Sequence, residues 1–444
     1  MKVIAFFYPY FSSITETFST TISQLVLIRQ SYSLRCPTLF HKNIVSLHSE
    51  HTNALIGETQ YMRKEIIHRI NQLGKKGKPF LFVIDYQGNQ AFIEPLTDIN
   101  PEICLYDFEG VNNLTEKTSQ ESVSPLPCPI TWQMTPPHYE DYKHSFDIVK
   151  SNIMQGNSYL TNLTCKVPVS CNLSLHDIFL NARGKYKLLW RGMTATKRDQ
   201  AETDLKETDQ AETNQTGTDR MKTASTSTPG RDLFVCFSPE TFVKIRNGRI
   251  YSYPMKGTIE ASQPNAAEIL MADRKEAAEH ATIVDLIRND LSRVADDVRV
   301  DRYRYIDILH TNKGDILQTS SEISGRLPDD YMNHLGDILA AQLPAGSITG
   351  APKDKTMQII HEAEGYGRGF YTGIMGICQN GELNSAVMIR FIEQETDGMY
   401  FKAGGGITSK SDCRKEFQEM LQKIYLPIGE FSGVKELRQQ LLWT

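Results

Sequence analysis

Lys256 stands in the segment PMKGT, fenced by Pro254 and Gly257, directly after the strand-like run RIYSY. A solvated surface lysine needs no such framing, whereas a nucleophilic lysine must be held in one place. Upstream, FSPE carries Glu240, and between the two lies Asn247-Gly248, a two-residue hairpin signal. In such a hairpin, residues whose numbers share a constant sum face each other. The sum here is 495, so Glu240 faces Met255 and Lys256 lies one step further along. An acid beside a lysine at a strand end is either an ion pair or an acid–nucleophile couple. Pattern alone favours the ion pair.

Two acidic pairs have helical spacing. In RKEAAEHATIVDL, Glu276 and Glu279 share one helix face. In CRKEFQEMLQKI, Glu416, Glu419 and Lys423 share another, opposite an apolar stripe of Phe417, Met420, Leu421 and Ile424. Such pairs are most often solvated faces. Two of these helices facing each other would instead make an oxygen-only site suited to Mg²⁺, with Lys423 near a substrate carboxylate. Hairpin sums at Asn380-Gly381 and Asp397-Gly398 are 761 and 795, which would set Tyr371, Arg390 and Gly405 in one row of a three-stranded meander. That row joins a planar cation and a hydroxyl to the backbone of Gly404, Gly405 and Gly406, an arrangement able to hold a carboxylate. LPAGSITGAPK, residues 343–353, is a loop opening a helix. It fails the P-loop pattern at Ala351, although it could place Thr349 at a ligand.

The elements that must position these groups follow from periodicity. MRKEIIHRINQLGKKGKPF reads as a helix ending at Gly74, LFVIDY as a strand, and HYEDYKHSFDIVKSNIMQG as a helix stopped by Gly156. PNAAEILMADRKEAAEHATIVDLIRNDLSRV is one long helix or two abutting ones, with Asn265 and Glu268 spaced as a capping box. Residues 1–61 are rich in Ser and Thr with little periodicity and are expected to be a poorly ordered extension. Residues 62–137 form a small α/β segment, 138–430 the main domain and 431–444 a tail. Within the main domain, 197–232 repeats DQAET, has almost no apolar residues and reads as a disordered insertion.

The 444 residues are 40% hydrophobic with a formal net charge of -5, which argues against a nucleic-acid surface. Eight scattered cysteines without a CxxC pair suit a reducing, cytoplasmic setting. No apolar run approaches the ~20 residues of a membrane span.

Taken together, GNSYLTNLT, FSPETF, PMKGT, KEAAEHATIVDLIRNDLSRV, LPAGSITGAPK, YTGIMG, NSAVMIRF and AGGGI…EFQEMLQK resemble, in order, the motifs of the chorismate-utilising enzymes. The resemblance implies an α/β (α+β) fold of two packed, largely antiparallel sheets flanked by helices. It implies that Glu279 and Glu419, with Glu276 and Glu416 beside them, bind a Mg²⁺ cofactor that holds the ring carboxylate of chorismate. Tyr371, Arg390 and Gly404–Gly406 would hold the enolpyruvyl carboxylate, with Thr258, Thr349 and Lys423 as further substrate contacts. Glu240 matches the general acid.

Lys256 separates the family's branches. The anthranilate, isochorismate and salicylate synthases typically carry alanine in this motif, and the aminodeoxychorismate branch carries lysine. That branch implies a transferase of 4-aminobenzoate and folate synthesis that receives ammonia from a separate glutamine amidotransferase subunit. Anthranilate synthase component I is the alternative, and a non-catalytic amidotransferase partner is an alternative of another class. Two departures stand out. PMKGT replaces the commoner PIKGT, and Gln318 stands where many members carry histidine. Glutamine cannot shuttle a proton, which favours retention of the enolpyruvyl group.

Overall fold

Hydrophobic runs set the frame. FLFVI, Phe80–Ile84, buries all five of its residues, as a strand covered on both faces must. KEIIHRINQLGK, Lys64–Lys75, instead buries one stripe, Ile66, Ile67, Ile70 and Leu73, as a helix lying on a sheet does. The structure, a computed structural model, describes residues 61–115, 126–127, 129–191, 232–311 and 314–428. The expected extension, apart from Tyr61, the insertion, apart from its last residue, and the tail lie outside the described residues.

Two nine-stranded antiparallel sheets carry the fold. The first runs Met255–Glu260, Gly314–Arg326, Arg249–Ser252, Thr241–Arg246, Glu382–Val387, Ile374–Gln379, Phe80–Ile84, Ala91–Pro95, with Asp296–Thr311 also on Gly314–Arg326. The second runs Gly350–Ala351, Leu160–Cys171, Met399–Ile407, Phe391–Gln394, Asp232–Ser238, Tyr186–Arg191, Cys104–Phe108, Val111–Asn112, with Trp132–Met134 on Leu160–Cys171. The sheets face each other across a core that includes Phe108, Tyr186, Phe234, Met375 and Phe391. Helices Lys64–Lys75 and Leu335–Gln342 pack in the core on the outer face of the first sheet. Tyr139–Met154, Leu175–Asn181 and Cys413–Gln422 do so on the second. The expected architecture is present.

Two local expectations fail. The capping box at Asn265 does not form, because Asn265 is left-handed (φ 56°) with no side-chain cap. The helix instead breaks at Asp273, whose Oδ1 accepts from the N–H groups of Lys275 (2.8 Å) and Glu276 (3.0 Å) and starts a second helix, Arg274–Leu291. The three-stranded meander is also absent. Asn380-Gly381 gives the expected register, Ile374 opposite Val387 through Gln379 opposite Glu382. The chain then leaves the first sheet at Val387 and enters the second at Phe391. Asp397-Gly398 closes a longer loop, so Phe391 pairs with Lys402 and Gln394 with Met399, two residues off the expected sum.

Candidate active site

Pro254, which has no N–H to offer a ladder, precedes the strand Met255–Glu260. That strand pairs Lys256 with Thr319, then shifts register between Lys256 and Thr258. Gly257 makes the bulge possible. It has φ +72°, and an added Cβ would come within 3.3 Å of Glu276 Oε2. Thr319 Oγ1 donates to the Lys256 carbonyl and fixes the backbone. The framing of Lys256 thus has a structural reason: a bulge aims its side chain into a cavity of ≈ 690 Å³.

The Asn247-Gly248 hairpin has the expected register from Arg246–Arg249 to Lys244–Tyr251. Beyond Tyr251 the chain parts from Thr241–Arg246 and stays only on Gly314–Arg326, so Glu240 and Met255 are not a ladder pair. Glu240 and Lys256 nevertheless line the same cavity. Ser347 Oγ donates to Glu240 Oε1 at 2.6 Å. Burial raises the Glu240 carboxyl above its ordinary value, against the opposing pull of Ser347, Lys256, Lys423 and Arg390. A raised value favours the protonated form, which a general acid needs.

The facing wall is helical. His280 Nε2 lies 2.6 Å from Ser321 Oγ and anchors helix Arg274–Leu291 to the strand Gly314–Arg326. Burial, with Arg304 and Lys256, pushes this imidazole down to about 4, so it is neutral at physiological pH. Glu276 and Glu279 on this helix, and Glu416 and Glu419 on Cys413–Gln422, line the cavity. Burial and the Glu279 charge raise Glu276, and burial with Glu419 raises Glu416 despite a hydrogen bond from Ser411. Glu419 pays a desolvation cost but is held below its ordinary value by Lys423, whose Nζ lies 2.9 Å away. Lys256 Nζ and Lys275 Nζ lie 3.8 Å and 3.6 Å from the two oxygens of Glu279.

Arg390 and Gly404–Gly406 line the cavity as well. Arg390 is left-handed (φ 53°) at the crossover between sheets and donates to the Lys423 carbonyl at 3.1 Å. Lys423 Nζ in turn donates to the Gly404 carbonyl at 2.9 Å. A Cβ on Gly405 would lie 3.8 Å from Glu416 Oε2, and one on Gly406 3.7 Å from Lys256 Nζ. The glycine run is therefore the seam between the two walls. Tyr371 borders the cavity but is only 3% exposed and belongs mainly to the inter-sheet core.

Thr258 lines the cavity and Thr349 does not. Thr349 is 0% exposed, and its carbonyl accepts from Asn162 N–H at 2.9 Å. A single 3₁₀ turn, Gly346–Ile348, presents Ser347 instead. The motif quoted from the sequence contained both hydroxyls, and only the turn chooses between them. Lys275 was also overlooked, although its i,i+4 spacing to Glu279 was a visible signal. Gln318 lines the cavity with Oε1 buried and without a hydrogen-bond partner among the described residues.

No three His, Cys, Asp or Glu side chains among the described residues converge as a metal-ligating group. The donor set still fits a hard divalent cation. Four carboxylates reach one cavity, Gly257 abuts Glu276 where a Cβ would crowd it, and ammonium groups stand in at Glu279 and Glu419.

A sequence model described as chorismate binding enzyme matches residues 39–428. A Haemophilus influenzae protein described only as PabA-like and uncharacterized is 43% identical over 83% of this chain and 98% of its own length. Anthranilate synthase component 1 of Aquifex aeolicus is 37% identical over 42% of this chain and 38% of its own. Aminodeoxychorismate synthase component 1 of Salmonella typhimurium is 36% identical over 42% of each. Among solved structures, the isochorismate synthase DhbC of Bacillus anthracis superposes with TM-score 0.55 at 17% identity, covering 81% of this chain and 86% of its own. The chain belongs to the chorismate-binding enzyme family.

Proposed function

We propose that this family member is an aminodeoxychorismate synthase component I, converting chorismate and ammonia to 4-amino-4-deoxychorismate. The observation that carries the reading is Lys256, aimed by its bulge into the cavity that also holds the buried Glu240. As a free amine, Lys256 attacks C2 of the ring. Both ring double bonds shift, from C1=C2 and C5=C6 to C1=C6 and C4=C5, and the C4 hydroxyl leaves as water, taking its proton from Glu240. Ammonia then adds at C4, both double bonds return, and the C2–nitrogen bond breaks to release Lys256. Two displacements replace one difficult substitution. Arg390 and the Gly404–Gly406 backbone would hold the enolpyruvyl carboxylate. Gln318 offers a buried acceptor and no proton to the eliminating centre.

Glu279 and Glu419, with Glu276 and Glu416, would hold Mg²⁺. When bound, the ion would neutralise and orient the ring carboxylate. Ammonia would come from a glutamine amidotransferase subunit. No helix among the described residues is long and apolar enough to cross a membrane.

A product assay tests the reading. Purified protein is incubated with chorismate, Mg²⁺ and ammonium, and the product is identified by mass and fluorescence. Aminodeoxychorismate is expected. Anthranilate would overturn the proposal, and no turnover by well-folded protein would favour a non-catalytic partner.

A further inference from the structure

Glu279 is the most heavily engaged of the four carboxylates. Its Oε2 faces Lys256 and its Oε1 faces Lys275, at 3.8 Å and 3.6 Å. The three lysines at this wall are not equivalent. Lys256 is set by the Gly257 bulge. Lys423 is tied to both Glu419 and the Gly404 carbonyl. Lys275 has only the ion pair, on a side chain that is 48% exposed. It also stands in the first turn of Arg274–Leu291, at the positive end of the helix dipole. A cation there opposes the helix dipole, and its partner is Glu279 one turn further along. Lys275 lines the same cavity as all four carboxylates and lies 3.6 Å from Glu279 Oε1.

We infer that Lys275 is a resident counter-cation of the acidic wall, which occupies Glu279 in the metal-free protein and competes with an incoming divalent ion. The inference rests on the reading of the four glutamates as a Mg²⁺ site. Glu279 faces two ammonium groups and Glu419 one. A divalent ion must take at least one Glu279 oxygen. Lys275, on a flexible and solvent-facing stem, is the partner that can swing away at small cost. Its charge therefore sets metal affinity, while the Coulomb repulsion it exerts keeps the affinity below what four glutamates alone would give.

The test is a charge series at one position in the full chain. Mg²⁺ binding is measured by calorimetry, and Mn²⁺ binding by electron paramagnetic resonance, in wild type, Lys275→Arg, Lys275→Gln and Lys275→Glu. Lys355→Gln, on helix Lys353–Glu364, serves as a surface-charge control. Arg should match wild type within about twofold. Gln should bind metal about three- to tenfold tighter, and Glu tighter again. Melting temperatures without metal should fall in the same order, with larger recovery on adding Mg²⁺. Equal affinities across the series, or weaker binding by Gln, would overturn the inference while leaving the metal site standing. Failure of wild type itself to bind either ion would remove the metal reading, and this inference with it.

Discussion

Glu240 and Lys256 reach the cavity from strands, whereas Glu276, Glu279, Glu416 and Glu419 reach it from two helices, and the two walls manage charge differently. On the strand wall, a single carboxyl is raised by burial and oriented by one hydroxyl. A single lysine is aimed by a backbone bulge. On the helical wall, burial and a neighbouring carboxylate raise Glu276 and Glu416, and Lys423 holds Glu419 down. Exposure there runs from 7% for Glu416 to 55% for the Glu419 side chain. The strand wall fixes direction, which proton and bond transfers require. The helical wall stores charge, which an ion or a carboxylate can rearrange.

The largest effect should come from the strand wall. Lys256→Ala is expected to lower aminodeoxychorismate formation on the order of 10³-fold or more, since no other amine is presented at the same bulge. Lys256→Arg sharpens the comparison. It keeps the positive charge beside Glu279 but supplies no nucleophile, so it should be as inactive as Ala while Mg²⁺ binding stays near wild type. Full product formation by Lys256→Ala would remove the covalent route.

On the helical wall the expected loss is graded. Glu279→Gln should weaken Mg²⁺ binding about tenfold or more and raise the Mg²⁺ needed for half-maximal rate, with part of the rate recovered at high Mg²⁺. Glu419→Gln should do less, because Glu419 is more exposed and already paired with Lys423. Mg²⁺ titrations unchanged in both variants would discard the metal assignment, leaving the strand wall to act alone.

The same division explains what could be read from the sequence. Glu276 and Glu279 share a face because i,i+3 spacing is local, and nothing distant can alter it once the helix forms. The Asn-Gly hairpins gave correct registers for as long as each pair of strands stayed together. They failed where the chain changes sheets at 388–390, because a register sum holds only inside one ladder. The Asp397-Gly398 loop failed through its length, with Glu395 N–H donating to the Gly398 carbonyl at 2.8 Å. Arg390 still reaches the cavity, through a left-handed crossover rather than a strand row. Asn265 precedes the first helix in a left-handed conformation that its spacing to Glu268 does not reveal, whereas Asp273, in extended backbone, caps the second. That Ser347 rather than Thr349 reaches the cavity is beyond periodicity, since a 3₁₀ turn obeys neither the strand nor the helix repeat.

Ser347 supplies the smallest and most discriminating test of the comparison. Its hydroxyl donates to Glu240 and pulls that carboxyl down, against the burial that raises it. Removing the donor in Ser347→Ala should therefore raise the Glu240 value further. The proton-donating form of Glu240 is the protonated one, so activity is present below its value and lost as pH rises through it. The alkaline limb of the rate profile should move to higher pH by about half to one unit, a hydrogen bond being worth about 1 kcal/mol. The rate on the plateau should fall only severalfold, because Glu240 keeps its proton but loses its fixed direction. Ser347→Thr should restore both limb and plateau. A helical-wall variant such as Glu419→Gln should leave the limb nearly in place, because neither Glu419 nor Mg²⁺ bonds to Glu240. A limb that moved equally in both variants would mean that the walls titrate as one unit and that direction and charge are not divided between them.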